Sequence, residues 1–123
     1  MSKHVKRFYA AVSALAGHGH IKQRLVEAYE GSLSVIEEDE LPVGMRQSFA
    51  DLKTEMNNVD PLNGEGPIRA SVRKMSVEQA DECAQRVVDL YREIMLYDEN
   101  SQETLPLRID DQPLLPPFLV KSS

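Results

Sequence analysis

The stretch MSVEQADECAQRVVDLYREIMLYD, residues 75–98, decides how this chain folds. Ser76 and Gln79 have the spacing of a capping box, in which the hydroxyl accepts from the Gln79 amide while the glutamine side chain reaches back to the Ser76 amide. Met75 and Ala80 occupy the flanking staple positions. Neither Gly nor Pro interrupts the stretch. Ala80, Cys83, Ala84, Val87, Val88, Tyr91, Ile94 and Met95 recur at three- and four-residue spacing. That periodicity predicts a helix from Val77 to about Asp98 with these residues inward and the acids, Arg86 and Arg92 outward.

Upstream, Pro67 opens a short helical turn over Ile68 to Lys74. Before it, Asp60-Pro61, Asn63-Gly64 and Gly66-Pro67 mark residues 57–67 as an irregular loop. Met45, Phe49, Leu52 and Met56 form an amphipathic stripe on a third helix that starts with Pro42 in its first turn and ends at Asn57-Asn58. A second helix is expected from His20 to about Glu38, gathering Ile21, Leu25, Ala28, Tyr29, Leu33 and Ile36 on one face. Gly31 inside it implies either a close neighbour or a kink. Glu37 to Glu40 oppose the helix dipole and should stop it. A first helix from Lys3 to Ala16 carries Val5, Tyr9, Val12 and Ala16 at helical spacing, flanked by Phe8 and Leu15, with Gly17 as a left-handed cap.

Downstream, Pro106, Pro113, Pro116 and Pro117 exclude a continuous helix. The same segment holds Leu105, Leu107, Ile109, Leu114, Leu115, Phe118, Leu119 and Val120, too apolar for a solvated linker. The expected architecture is therefore all-α: an antiparallel bundle of about four principal helices over residues 1–98, and an extended Pro-rich tail over 99–123. The tail should pack on the bundle or on a partner protomer, with Leu114, Leu115, Phe118, Leu119 and Val120 as its interaction residues.

Length and composition agree with one globular domain: 123 residues, 41% apolar and 28% charged. The single cysteine, Cys83, forms no internal disulfide and no Cys-rich metal cage. No apolar run approaches the ~20 residues of a membrane span. The N-terminal pattern of basic residues, the apolar run Phe8–Ala16 and the small-x-small Ala14-Leu15-Ala16 resembles an export signal. The run is short and includes Tyr9 and Ser13, so a retained helix in a cytoplasmic protein is expected.

The net charge of −6 is unevenly placed. Residues 1–26 hold five basic residues and no carboxylate, whereas residues 27–68 hold ten carboxylates against Arg46 and Lys53. A net acidic chain disfavours polyanions and anionic membranes. The basic start and acidic middle can pair within the fold or between copies.

Few residues suggest chemistry. His18 and His20 are weak metal candidates, because alternate histidines can share an ion but no HExxH or HxxxH spacing supports them. Arg69 and Arg73 lie one turn apart, with Lys74 beside them, as a candidate anion or nucleic-acid surface; the competing expectation is salt bridging to the acidic middle segment. Cys83 reads as a core residue, and the four tyrosines as completing the core. No GxSxG elbow, P-loop, GxGxxG turn or kinase signature occurs, and no cofactor is implied. The expected function is a non-catalytic helical protein–protein interaction module that self-associates. Alternatives are an anion-binding protein using Arg69, Arg73 and Lys74, and an acidic decoy of a nucleic-acid-binding partner using residues 37–40 and 98–103.

Overall fold

A computed structural model of the chain describes residues 3–61 and 64–102. Every regular element among them is helical: α1 (Lys3–Leu15), α2 (Ile21–Ala28), α3 (Val43–Met56), α4 (Pro67–Lys74) and α5 (Val77–Gln102). A π-helical turn, Tyr29–Leu33, continues α2, and a 3-10 turn, Glu38–Glu40, precedes α3. Helix α5 is the common partner, touching α1, α2 and α3, while α4 packs on α2 and α3.

The capping box forms as expected. The Ser76 amide donates to Gln79 Oε1 at 2.8 Å, and the Gln79 amide donates to Ser76 Oγ at 3.0 Å. Met75 and Ala80 are both buried beside it. The helix runs on past Asp98 to Gln102, since no proline occurs before Pro106. Its inner face keeps Ala80, Cys83, Val87 and Ile94 of the expected one and differs in the rest. Ala80, Cys83, Val87, Leu90 and Ile94 are buried, whereas Val88 is 37% exposed and Ala84, Tyr91 and Met95 are half-buried. The true core stripe lies about 90° around the helix from the stripe formed by Val77, Ala84, Val88, Tyr91 and Met95. Leu90, absent from the expected face, lies on the edge of this stripe farthest from Val88 and is 2% exposed.

The same rotation appears in α1. Val5, Phe8, Ala11 and Leu15 point inward, while Tyr9 and Ala16 are exposed. Phe8 meets Phe49 edge-on, with ring centroids 6.2 Å apart, and so joins α1 to α3. Gly17 is not the left-handed cap. The last turn of α1 closes through Ala16 and Gly17 amides onto Ser13 and Ala14 carbonyls, and Arg24 Nη1 donates to the Leu15 carbonyl at 2.5 Å. With that carbonyl satisfied, the chain turns at Gly19, where φ is +100°.

Helix α2 stops well short of Glu38. Beyond Ala28 the turn widens, and the Ser34 amide donates to the Tyr29 carbonyl five residues back at 2.9 Å. The Ser34 hydroxyl donates to the Glu30 carbonyl at 2.9 Å, satisfying an acceptor within the widened turn. Gly31 lies on the outside of this turn with nothing within 4 Å of a Cβ built on it. The glycine thus marks a π turn, and no neighbour approaches it. The acids then form their own 3-10 turn, tied to α3 by Arg46 on the Asp39 and Leu41 carbonyls and by Lys53 on Glu38 at 3.3 Å. Pro42 precedes α3 as its N-cap.

The loop after α3 is pinned where the Val59 amide donates to the buried Ser71 hydroxyl at 2.9 Å. Pro67 occupies the first turn of α4. The expected tail residues Leu114, Leu115, Phe118, Leu119 and Val120 lie outside the described residues.

Two stability predictions follow the register of these helices. Leu90→Ala should destabilise the fold by about 2–5 kcal/mol in urea unfolding, while Val88→Ala should stay within about 0.5 kcal/mol. Equal costs at the two positions would contradict the register. Gly31→Ala should raise the thermal midpoint, gaining about 0.4–1 kcal/mol from lower backbone entropy in the unfolded chain, because the added methyl meets open space.

Candidate functional site

Of the residues singled out from sequence, His18 and His20 are both exposed in the connection between α1 and α2. The acids of residues 37–40 make their contacts elsewhere, with Arg46, Lys53 and His4. Among the described residues, no three His, Cys, Asp or Glu side chains gather in a way that could hold a metal ion.

His4 is the histidine with an unusual setting. It lies in the first turn of α1, half-buried, with Nε2 3.6 Å from the Glu40 carboxylate. Its Nδ1 is buried and has no hydrogen-bond partner among the described residues. Burial holds the imidazole below its usual range; Glu40 opposes this, and Lys3 and Arg7 add to it. The Glu38 carboxyl is held low by its own backbone amide and by Lys53.

Arg69 and Arg73 lie on one side of α4, as their spacing implies, and both meet acids of the middle segment. Arg69 donates through Nε and Nη2 to Glu30 Oε1 at 3.2 and 3.0 Å. Arg73 grips both oxygens of Glu65 through Nε and Nη2. That hydrogen bond, and then the charge of Glu65, raises the already high pKa of the guanidinium further. Between α4 and α2 these arginines line a cleft of about 630 Å³ with Lys22, Gln23, Val26, Glu27, Glu65 and Val72. Lys74 is exposed and lies outside that lining. A smaller recess of about 260 Å³ between α3 and α5 is mainly acidic, lined by Asp51, Asp89 and Glu93 with Arg86 and Ser48. Cys83 is fully buried, and burial, followed by Glu55, pushes its thiol up to about 11, so it packs as a neutral side chain.

The largest departure from the periodicity of the sequence is a surface. Tyr9 on α1 and Tyr91 on α5 meet with ring centroids 6.1 Å apart, and Tyr9 is 55% exposed. Near them Val12, Ala84 and Met95 rest on the edge of the core, as Tyr91 does, and Val88 is 37% exposed. Periodicity assigned most of these residues to buried faces. Each helix carries two adjacent apolar stripes, and the fold uses only one. The signal available in sequence was the width of the apolar arc on α5, which extends across about 160° once Leu90 is included.

No protein-family model, curated protein or solved structure matches the chain. No helix of the described residues is long and apolar enough to cross a membrane.

The setting of His4 generates a pH dependence. Its folded pKa lies below the usual 6.5, so the unfolded chain takes up the proton first and stability falls as pH drops through about 6.5. The thermal midpoint should decline between pH 7.5 and 5.5, and His4→Leu should flatten most of that decline. An unchanged profile in the variant would assign the dependence to other groups.

Proposed function

We propose that this chain is a non-catalytic, cytoplasmic helical interaction module that self-associates through the joint face of α1 and α5. The observation that carries this reading is the contiguous apolar face around Tyr9, Val88 and Tyr91, left at the surface beside a fully formed core. Exposed tyrosine in a contiguous apolar patch is characteristic of an interface centre.

Charge favours a second copy as the occupant. Helix α1 carries Lys3, Lys6 and Arg7 without a carboxylate, whereas α5 carries seven carboxylates against Arg86 and Arg92. A face made of one basic and one acidic helix is complementary to itself about a two-fold axis, which sets α1 of one protomer against α5 of its partner. An antiparallel arrangement of the principal helices belongs to the same proposal, with the short α1–α2 connection in its favour. The apolar segment 105–120 supplies an additional adhesive element.

Light scattering after size exclusion tests the proposal on the full chain. A dimer is expected, retained in 1 M salt because burial of apolar surface dominates. Tyr9→Glu combined with Val88→Glu should return a monomer with an unchanged circular-dichroism spectrum. A full-length monomer at every concentration would overturn self-association, and a dimer insensitive to the double substitution would overturn this face. Truncation after Glu103 separates the tail's contribution: loss of the dimer there would move the contact from the helices to residues 105–120.

A further inference from the structure

We propose that the cleft between α2 and α4 is a binding site for a small organic phosphate monoester, held by Arg69, Arg73 and Lys22 beside the half-buried Val26. This inference is independent of the α1–α5 face.

The cleft is built from fixed walls. Ala70 and Val72 are buried on the inner side of α4, and Ser71 anchors the preceding loop through the Val59 amide. Lys22 Nζ donates to the Arg73 carbonyl at 3.3 Å, which ties α2 to the end of α4. The acids position the guanidinium groups: Glu30 and Glu65 each take the Nε–Nη2 side of one arginine, and the Nη1 groups are not used in those pairs. Two guanidinium groups one helical turn apart, with an ammonium across the cleft, match the three terminal oxygens of a phosphate monoester. The side chains of Arg69 and Arg73 are 60% and 50% exposed, so both guanidinium groups are reachable from solvent while their pairs are kept.

The remaining lining sets the ligand class. A volume of about 630 Å³ suits a small molecule. Val26, half-buried on α2, offers an apolar surface to the organic part, with Val72 behind it in the core. Glu27 and Glu65 leave the lining only slightly cationic and disfavour extended polyanions. Aromatic side chains on which bases could stack are absent from the lining. A nucleic acid is thus the poorer fit, although the arginines alone would admit it.

Titration of the full chain with phenyl phosphate at low salt, followed by amide chemical shifts, tests the assignment. Saturable shifts confined to residues 22–27 and 65–73 are expected, with inorganic phosphate several-fold weaker because it leaves Val26 uncovered. Arg69→Gln and Arg73→Gln should each weaken phenyl phosphate about tenfold or more by removing a charge-assisted donor. Lys74→Gln should leave it unchanged. Absence of saturable shifts, or shifts spread equally over Lys3, Lys6 and Arg7, would overturn the site. A single-stranded oligonucleotide binding more tightly than phenyl phosphate, with Lys74→Gln as damaging as Arg69→Gln, would replace the small-molecule cleft with a polyanion surface. Unchanged thermal midpoints in the two arginine variants confirm that binding, and not folding, is being read.

Discussion

Ala80, Cys83, Val87, Leu90 and Ile94 must be buried together, and one straight helix presents them along a single line. Helices α1, α2 and α3 all pack against that helix, so its rotation about its own axis determines which side chains of its neighbours face inward. A rotation of one residue, about 100°, would replace Leu90 with Tyr91 in the core. Tyr91 would then bring into the core a hydroxyl that needs a hydrogen-bond partner. Leucine at this position settles the register, and the edge-on contact of Phe8 with Phe49 closes the core on the opposite side.

The acidic middle of the chain becomes structural once the helices are assembled. Glu30, Glu38, Glu55 and Glu65 each pair with a base from another element: Arg69, Lys53, Arg86 and Arg73. Pairs this exposed contribute little stability individually. Their larger effect is orientation, since they set the directions of the two α4 arginines beside the cleft and hold the 3-10 turn against α3. The same pairing engages part of residues 37–40, with Glu38 held by Lys53 and Glu40 beside His4.

The widened turn at Tyr29–Leu33 shows how local and tertiary demands are reconciled. Leu25, Ala28, Tyr29, Leu33 and Ile36 all have to reach the core. The π turn lets the chain deliver Leu33 inward while swinging Glu30 toward Arg69, and Ser34 satisfies a carbonyl of the widened turn. Burial pushes the Tyr29 hydroxyl up to about 12, with Glu38 adding to the effect, so this ring stays neutral in the core.

What the amino-acid sequence determined by itself was local: the capping box at Ser76 and Gln79, the proline start of α4, the stripe Met45, Phe49, Leu52 and Met56, the all-helical class and the burial of Cys83. Each depends on residues within one or two turns of one another, where hydrogen-bond reach and helical period decide the outcome. The pairing of Arg69 and Arg73 with acids of the middle segment was also legible, as a matter of charge. Tertiary structure alone decided which of two adjacent apolar stripes on α1 and α5 enters the core, where α2 widens, and that Gly19 and not Gly17 takes the left-handed turn. The cleft beside Arg69 and Arg73 likewise needed α2, because Lys22 and Val26 lie far from α4 in sequence. Periodicity shows that a face is apolar, but only packing against other helices decides whether that face is covered.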